Sequence, residues 1–383
     1  MNKNKKAVSW LNLAHFTNDV YTGFINPIMP FIAAKLGFTM AIATILIAIT
    51  QICSNMLQPI FGFFADNMLK RFFIFWGLIL SSIFIPLAPS APNVFVLTFF
   101  MILGCLGSSF FHPQSMGFIK IFSGENLNKN MGVFVSMGSL GFAFGPLLAT
   151  FITQHASLDK IFYTSFFGVI LALLMFICVP KLSLTEQNVK QKDFLKSFKE
   201  IASNNQIKYL MLISMMKTLV TNSSCRLLPF LWKSMGYTPF YIGFALFLFV
   251  FAGAIGSFLS PQLEKILGSK PILYISMWGT LPLMIAFALT YKTMPILSLA
   301  IFSIIGFVTM LAQPVTLVLA QKTLPDYKSV VSGLINGFCW GTIAFCLSFL
   351  GFFAEKFGII NVLILLTFFP VFACYFIKKL KEV

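Results

Sequence analysis

Twelve apolar runs, each close to the length that crosses a lipid bilayer, constrain this chain more than any other feature. Spanning about 30 Å of hydrocarbon takes about 20 apolar residues at 1.5 Å each. The runs fall at roughly 8–34, 40–65, 72–89, 93–117, 129–152, 160–180, 206–232, 239–260, 271–290, 295–320, 328–354 and 358–377. Only 10% of the 383 residues are charged, where a soluble domain carries about 25%. The expected fold class is therefore all-α integral membrane, with twelve spans in two six-helix bundles.

Charge sets the orientation, because Lys and Arg stay on the cytoplasmic side. With both ends inside, twenty of the 27 basic residues fall in cytoplasmic segments, and Lys35, Lys160, Lys233, Lys292 and Lys356 fall opposite. Lys217 and Arg226 lie within the seventh span. The topology expected is N-in, C-in. The net charge of +16 then reads as a topological signal and an attraction to lipid head groups, with no nucleic-acid partner. The first run, preceded by "MNKNKK", is too long for a signal-peptide core and lacks a small-residue cleavage site, so it is expected to act as an uncleaved anchor. All seven cysteines fall in the spans without disulfide or metal spacing.

The polar segment 181–205 separates six spans from six. Phe194, Leu195 and Phe198 among its lysines suggest an amphipathic cytoplasmic linker, and a plain solvated linker fits equally. The domains expected are 1–180, the linker, and 206–383. Short internal matches support a repeat: "FFHPQ" at 110–114 and "LAQPV" at 311–315 each carry a proline late in the fourth span of their half, Pro113 and Pro314. Glycine follows nineteen residues later in both, at Gly132 and Gly333. Two related bundles around a midplane site is the layout of a secondary transporter.

Polar groups inside a membrane are costly and usually face a water path or one another. In the first span Asn12, His15, Asp19, Thr22 and Asn26 recur at spacings of three and four, which places them in one stripe, with Asn18 beside it. Gln51, Asn55 and Gln58 repeat the pattern in the second span, and Ser214, Lys217, Thr221 and Ser224 in the seventh. These stripes either line a cavity or lie buried between helices. Asp19 is the only carboxylate deep within a span, which makes it the leading proton carrier. His15 and His112, at similar depth, are candidate relays, since imidazole titrates near neutral pH. The substrate-cavity candidates are Asn18, Thr22, Asn26, Gln51, Asn55, Lys217, Thr221, Arg226 and Gln313. Lys217 matches Asp19 in depth and is a candidate ion-pair partner. Arg226 is half a turn out of phase with Lys217 and reads first as a snorkelling or interface residue, then as an anion-binding group.

After the second span "GFFADNMLKR" places Gly62, Asp66, Lys70 and Arg71 in a very short cytoplasmic turn. It resembles the loop signature of the major facilitator superfamily, with Asn67 and Leu69 departing from the usual Arg and Gly. The resemblance implies that Asp66 and Arg71 latch the two halves. Gly132, Gly141, Gly145 and Pro146, spaced Gly-x8-Gly-x3-Gly-Pro, resemble the antiporter motif of that superfamily's exporters, with Ala149-Thr150 in place of its final glycines. Small-residue packing also accounts for the glycines. "LAHFTNDVYTGFINPIMP", "QPIFGFFAD", "FFHPQS" and "GFAFGPLLA" together resemble the fosmidomycin resistance family, with Gln114 where that family has an acidic residue. That resemblance implies a proton-driven drug exporter of the bacterial inner membrane.

No nucleophile triad, metal cluster, Walker loop or haem motif is present in the sequence, so no enzyme, cofactor or ATP-driven pump is expected. The partners expected are a small-molecule substrate, protons and membrane lipids, with the chain acting as a monomer. Three functions stay open: export of a drug or small anionic or amphiphilic molecule against protons, uptake of a small organic anion, and a receptor or assembly factor on a transporter scaffold.

Overall fold

The computed structural model describes residues 3–58, 61, 71–180, 201, 203–325 and 328–381, and these are almost wholly helical. Gly62, Asp66, Lys70 and the linker segment 181–200 lie outside the described residues, and Arg71 appears as the first residue of a helix. The chain forms two compact units, Met1–Lys190 with Trp232–Phe247, and Gln191–Leu231 with Leu248–Val383.

The first unit contains α1 (Lys3–Gly23), α2 (Ile25–Leu36), α3 (Met40–Gln51), α4 (Arg71–Leu87), α5 (Val94–Ser123), α6 (Leu127–His155) and α7 (Ser165–Cys178). Side-chain caps start α3 and α5: Thr39 accepts from the Ile42 amide, and Asn93 accepts from the Val96 amide at 2.9 Å. Each satisfies a first-turn N–H that the helix itself leaves unbonded. The first span is not the single helix expected. It breaks at Phe24, whose amide bonds the Tyr21 carbonyl at 3.0 Å, because Pro27 has no N–H to return to Gly23.

The remaining helices are α8 (Asn205–Ser234), α9 (Pro239–Leu267), α10 (Ser269–Trp278), α11 (Thr280–Thr290), α12 (Pro295–Met310), α13 (Ala312–Thr323), α14 (Lys328–Gly333), α15 (Cys339–Cys346), α16 (Leu350–Phe357) and α17 (Ile359–Lys379). The tenth span divides at Leu311 for the same reason as the first: Pro314 cannot donate to the Met310 carbonyl. Ser257 of α9 takes up the freed acceptor, donating to Met310 O at 3.1 Å, and Ser260 adds a bond to Leu311 O at 2.7 Å. Such replacement bonds are what permits a broken helix within hydrocarbon. Wider π-helical turns follow α3, at Ile52–Met56, and α14, at Leu334–Phe338.

Among the described residues nine helices are long and apolar enough to cross a membrane, and Met40–Met56 is a shorter apolar helix. Of the three polar-striped spans, the first, represented by α1 with α2, and the seventh, represented by α8, are not among the nine, and the second appears as the shorter helix. Large apolar side chains such as Phe95, Phe258, Leu289 and Phe372 stand exposed, a surface suited to lipid.

The glycines of α6 explain its closest packing. A Cβ at Gly141 would overlap the Phe16 carbonyl, and one at Gly145 the Val20 carbonyl and the Gly23 backbone, so α1 and α6 meet backbone to backbone. Gly132 has nothing within 4 Å of the same position, so it takes no part in this seam. Gly141→Val is expected to destabilise the purified protein by about 1–3 kcal/mol through overpacking. Gly132→Ala should stay within about 0.5 kcal/mol. Thermal melts in detergent compare the two, and equal losses would refute the assignment of the seam.

Candidate functional site

The helical spacing of the first span brings His15 and Asp19 one turn apart, and α5 supplies His112 from across the unit. Asp19 Oδ2 lies 3.3 Å from His15 Nε2, and Oδ1 lies 3.4 Å from His112 Nε2. The two imidazoles meet edge to face with centroids 5.0 Å apart. Asn18, fully buried, donates one amide nitrogen to Asp19 Oδ1 at 2.9 Å and to Ser108 Oγ at 3.2 Å. Thr22 turns back to the Asp19 carbonyl at 3.0 Å, and Asn26 lies half-buried on α2.

His15 is the best-fixed member of the cluster. Its ring stacks on Phe134 of α6 at 4.0 Å between centroids, and its Nδ1 sits 2.8 Å from the Phe134 carbonyl oxygen. A carbonyl can only accept, so Nδ1 carries a hydrogen and donates it. Nε2 then faces the Asp19 carboxylate either with a second hydrogen or with a bare lone pair, and the contact is attractive only when a proton lies between the two atoms. Gly138 makes room for this arrangement. A Cβ there would overlap the His15 ring and stand 2.8 Å from Asp19 Oδ2. Sequence reasoning missed Gly138, Phe134 and Ser108. Gly138 was findable: it lies three residues before Gly141 and seven before Gly145, on the same helical face.

Among the described residues His15, Asp19 and His112 form the one group with the spacing to hold a metal ion, their ligand atoms lying within 4.8 Å of one another. The direct contacts of 3.3 and 3.4 Å are also those that a shared proton satisfies unaided. In α3 and the π-helical turn after it, Asn55 donates to the Gln51 carbonyl at 3.0 Å and Gln58 to the Ser54 carbonyl at 2.7 Å. Both amides thus bond to the backbone of the same span. Beside α1, a cavity of about 470 Å³ is walled by apolar groups that include Phe16, Phe144, Phe151 and Phe240.

In the second unit α8 is buried from Lys217 to Pro229, and its polar stripe bonds to neighbouring groups of the protein. Ser214 donates to the Ile335 carbonyl at 3.2 Å and Thr221 to the Lys217 carbonyl. Lys217 Nζ donates to Gln313 Oε1 and stands 5.4 Å from the centre of the Trp340 ring. Gln313 Nε2 in turn donates to Asn336 Oδ1 at 2.5 Å. Asn336 and Trp340, one turn apart, were also missed, since neither is charged. Of the two alternatives first given to Arg226, interface position and not snorkelling agrees with its burial: it is 0% exposed, with Nη1 3.5 Å from the Ala344 carbonyl of α15.

A family model for the Major Facilitator Superfamily matches residues 11–348. The chain belongs to this superfamily. It is a multi-pass membrane transporter for small molecules, and not an enzyme. The fosmidomycin resistance protein of Escherichia coli is 26% identical over 94% of this chain and 89% of its own length. YfnC of Bacillus subtilis, an uncharacterised transporter of the superfamily, is 24% identical over the same shares. The quinolone resistance protein NorA of Staphylococcus aureus is 24% identical over 43% of each chain. Among solved structures the nucleoside transporter NupG superimposes with a TM-score of 0.78 at 14% identity, covering 98% of this chain and 100% of its own.

Gly138→Ala is expected to displace the His15 ring and cost about 1–3 kcal/mol of stability. Truncating the ring should return most of that loss, so His15→Ala/Gly138→Ala should melt close to His15→Ala alone. A double-mutant cycle by thermal melting measures the coupling, and strictly additive losses would show that the glycine serves some other contact.

Proposed function

We propose that this superfamily member is a proton-coupled exporter of a drug or a small anionic or amphiphilic molecule, working by alternating access. The observation that carries the reading is the Asp19 carboxylate held between two histidine Nε2 atoms. One of those histidines has its tautomer fixed by a backbone carbonyl. An ionisable residue inside a membrane is by default a functional one, and a carboxylate within reach of two imidazole nitrogens offers an entering proton three neighbouring sites. Proton entry would favour release of substrate, and deprotonation on the cytoplasmic side would restore binding. The similarity to two drug-resistance proteins supports the outward direction.

The membrane arrangement that goes with this reading is twelve spans with both ends cytoplasmic, bundles at 1–180 and 206–383 and the linker between them, working as a monomer in a bacterial inner membrane. Asp66 and Arg71 would latch the cytoplasmic side. A second reading, uptake of a small organic anion by symport or uniport, draws on buried Lys217, which suits an anionic cargo in either direction.

The test expresses the parent and Asp19→Asn in a bacterium stripped of its own exporters, then measures survival against a panel that includes fosmidomycin. The parent should protect, and the variant should lose about tenfold or more of that protection. Equal protection by both removes Asp19 from the mechanism. Proton and substrate moving in the same direction in proteoliposomes would replace export with uptake.

A further inference from the structure

The second unit holds a buried cation whose neighbours are all neutral. Lys217 is 1% exposed, and among the described residues no Asp or Glu lies within ion-pair distance of it. A charge removed from water is ordinarily matched by an opposite charge. Here its close contacts are the Gln313 amide oxygen and the face of Trp340.

The hydrogen-bond directions of this cluster follow from Lys217 alone. An ammonium has only hydrogens to offer, so Gln313 must turn its oxygen toward Lys217. Its Nε2 then points at Asn336 and donates to Oδ1, which leaves the Asn336 Nδ2 hydrogens facing outward. Asn336 is exposed, on the π-helical turn Leu334–Phe338, while Lys217 is buried. Wide turns of this kind are frequent at functional sites. The relay as a whole holds more hydrogen than acceptor: five N–H remain, two on the Lys217 ammonium, one on Gln313 Nε2 and two on the Asn336 amide, against one lone pair on each of Gln313 Oε1 and Asn336 Oδ1.

We propose that this relay is an oxyanion site, which binds the carboxylate, phosphate or phosphonate group of the transported molecule at Lys217 and Asn336. The inference rests on the export reading and deepens it by naming the chemical class of the cargo. A donor-rich set built on a cation disfavours amines and favours a group made only of acceptors. The ammonium lies twelve residues into α8, about 18 Å along its axis, too deep for a lipid head group. A small diffusible anion is therefore the occupant, with Trp340 as the platform beside it.

The experiment uses the full chain in phosphatidylcholine nanodiscs and measures binding of phenylphosphonate, benzoate and neutral benzamide by calorimetry. The two oxyanions should bind saturably and benzamide should not. Lys217→Gln should weaken oxyanion binding roughly tenfold to a hundredfold, the worth of a charged hydrogen bond. Asn336→Ala, at an exposed position that leaves the fold intact, should weaken it several-fold. Benzamide binding as tightly as benzoate, no saturable binding of either oxyanion, or unchanged affinity in both variants overturns the proposal. Displacement of the probe by phosphatidylglycerol in the disc, dependent on Lys217, would overturn the diffusible cargo in favour of a lipid phosphate. Equilibrium binding asks nothing of proton coupling. Loss of the oxyanion site with Asp19-dependent efflux intact would sink this inference alone, and oxyanion binding without any efflux would sink the export reading alone.

Discussion

A single carboxylate placed inside hydrocarbon organises the first unit. Left bare, Asp19 would cost far more than the fold can supply, so three helices contribute to its surroundings: His15 and Asn18 from α1, His112 and Ser108 from α5, and the Phe134 carbonyl from α6 through His15. The last of these connects electrostatics to packing. Gly141 and Gly145 bring the α6 backbone against α1, and Gly138, one turn earlier on the same face, leaves the space that the His15 ring fills. The close seam and the polar cluster are thus one construction. Larger side chains on that face of α6 would hold the Phe134 carbonyl away from the imidazole it orients.

The second unit repeats the plan with the sign of the charge reversed. Its first helix carries Lys217 where the other carries Asp19. The residue before the proline of its fourth span, Gln313, reaches that charge as His112 reaches Asp19. In one unit a carboxylate meets imidazoles, groups that share protons. In the other a lysine meets amides, which take up no proton of their own near neutral pH. Two clusters, each between the first and fourth spans of its half, thus carry different chemistry: carboxylate with imidazole in one, lysine with amide in the other.

Much of this was legible in the sequence because membranes impose strict lengths and sharp polarity contrasts. The apolar runs marked the helices to within a few residues, as for α6 at Leu127–His155 against 129–152 and α17 at Ile359–Lys379 against 358–377. The three-and-four spacing of His15 and Asp19 marked the cluster, and depth matching brought in His112. Helix breaks were harder to read. Pro27 and Pro314 were visible, but whether a proline merely bends a span or divides it depends on what takes up the freed carbonyl, and Ser257 lies some fifty residues away. Phe134 escaped notice because it acts through its backbone oxygen, which no residue type reveals. Charge alone left Arg226 between an outward reach and an interface position, because its neighbour, the Ala344 carbonyl of α15, is a backbone group too.

A cluster drawn from three helices is also a gauge of their alignment. Sliding α6 by one turn, about 5.4 Å, would carry the Phe134 carbonyl out of reach of His15 Nδ1, now 2.8 Å away. The ring would then be free to exchange tautomers and offer Asp19 a hydrogen from either nitrogen. Where the proton resides is therefore tied to the longitudinal position of a helix and not only to local acidity, so mechanical displacement and chemical state are two readings of one coordinate.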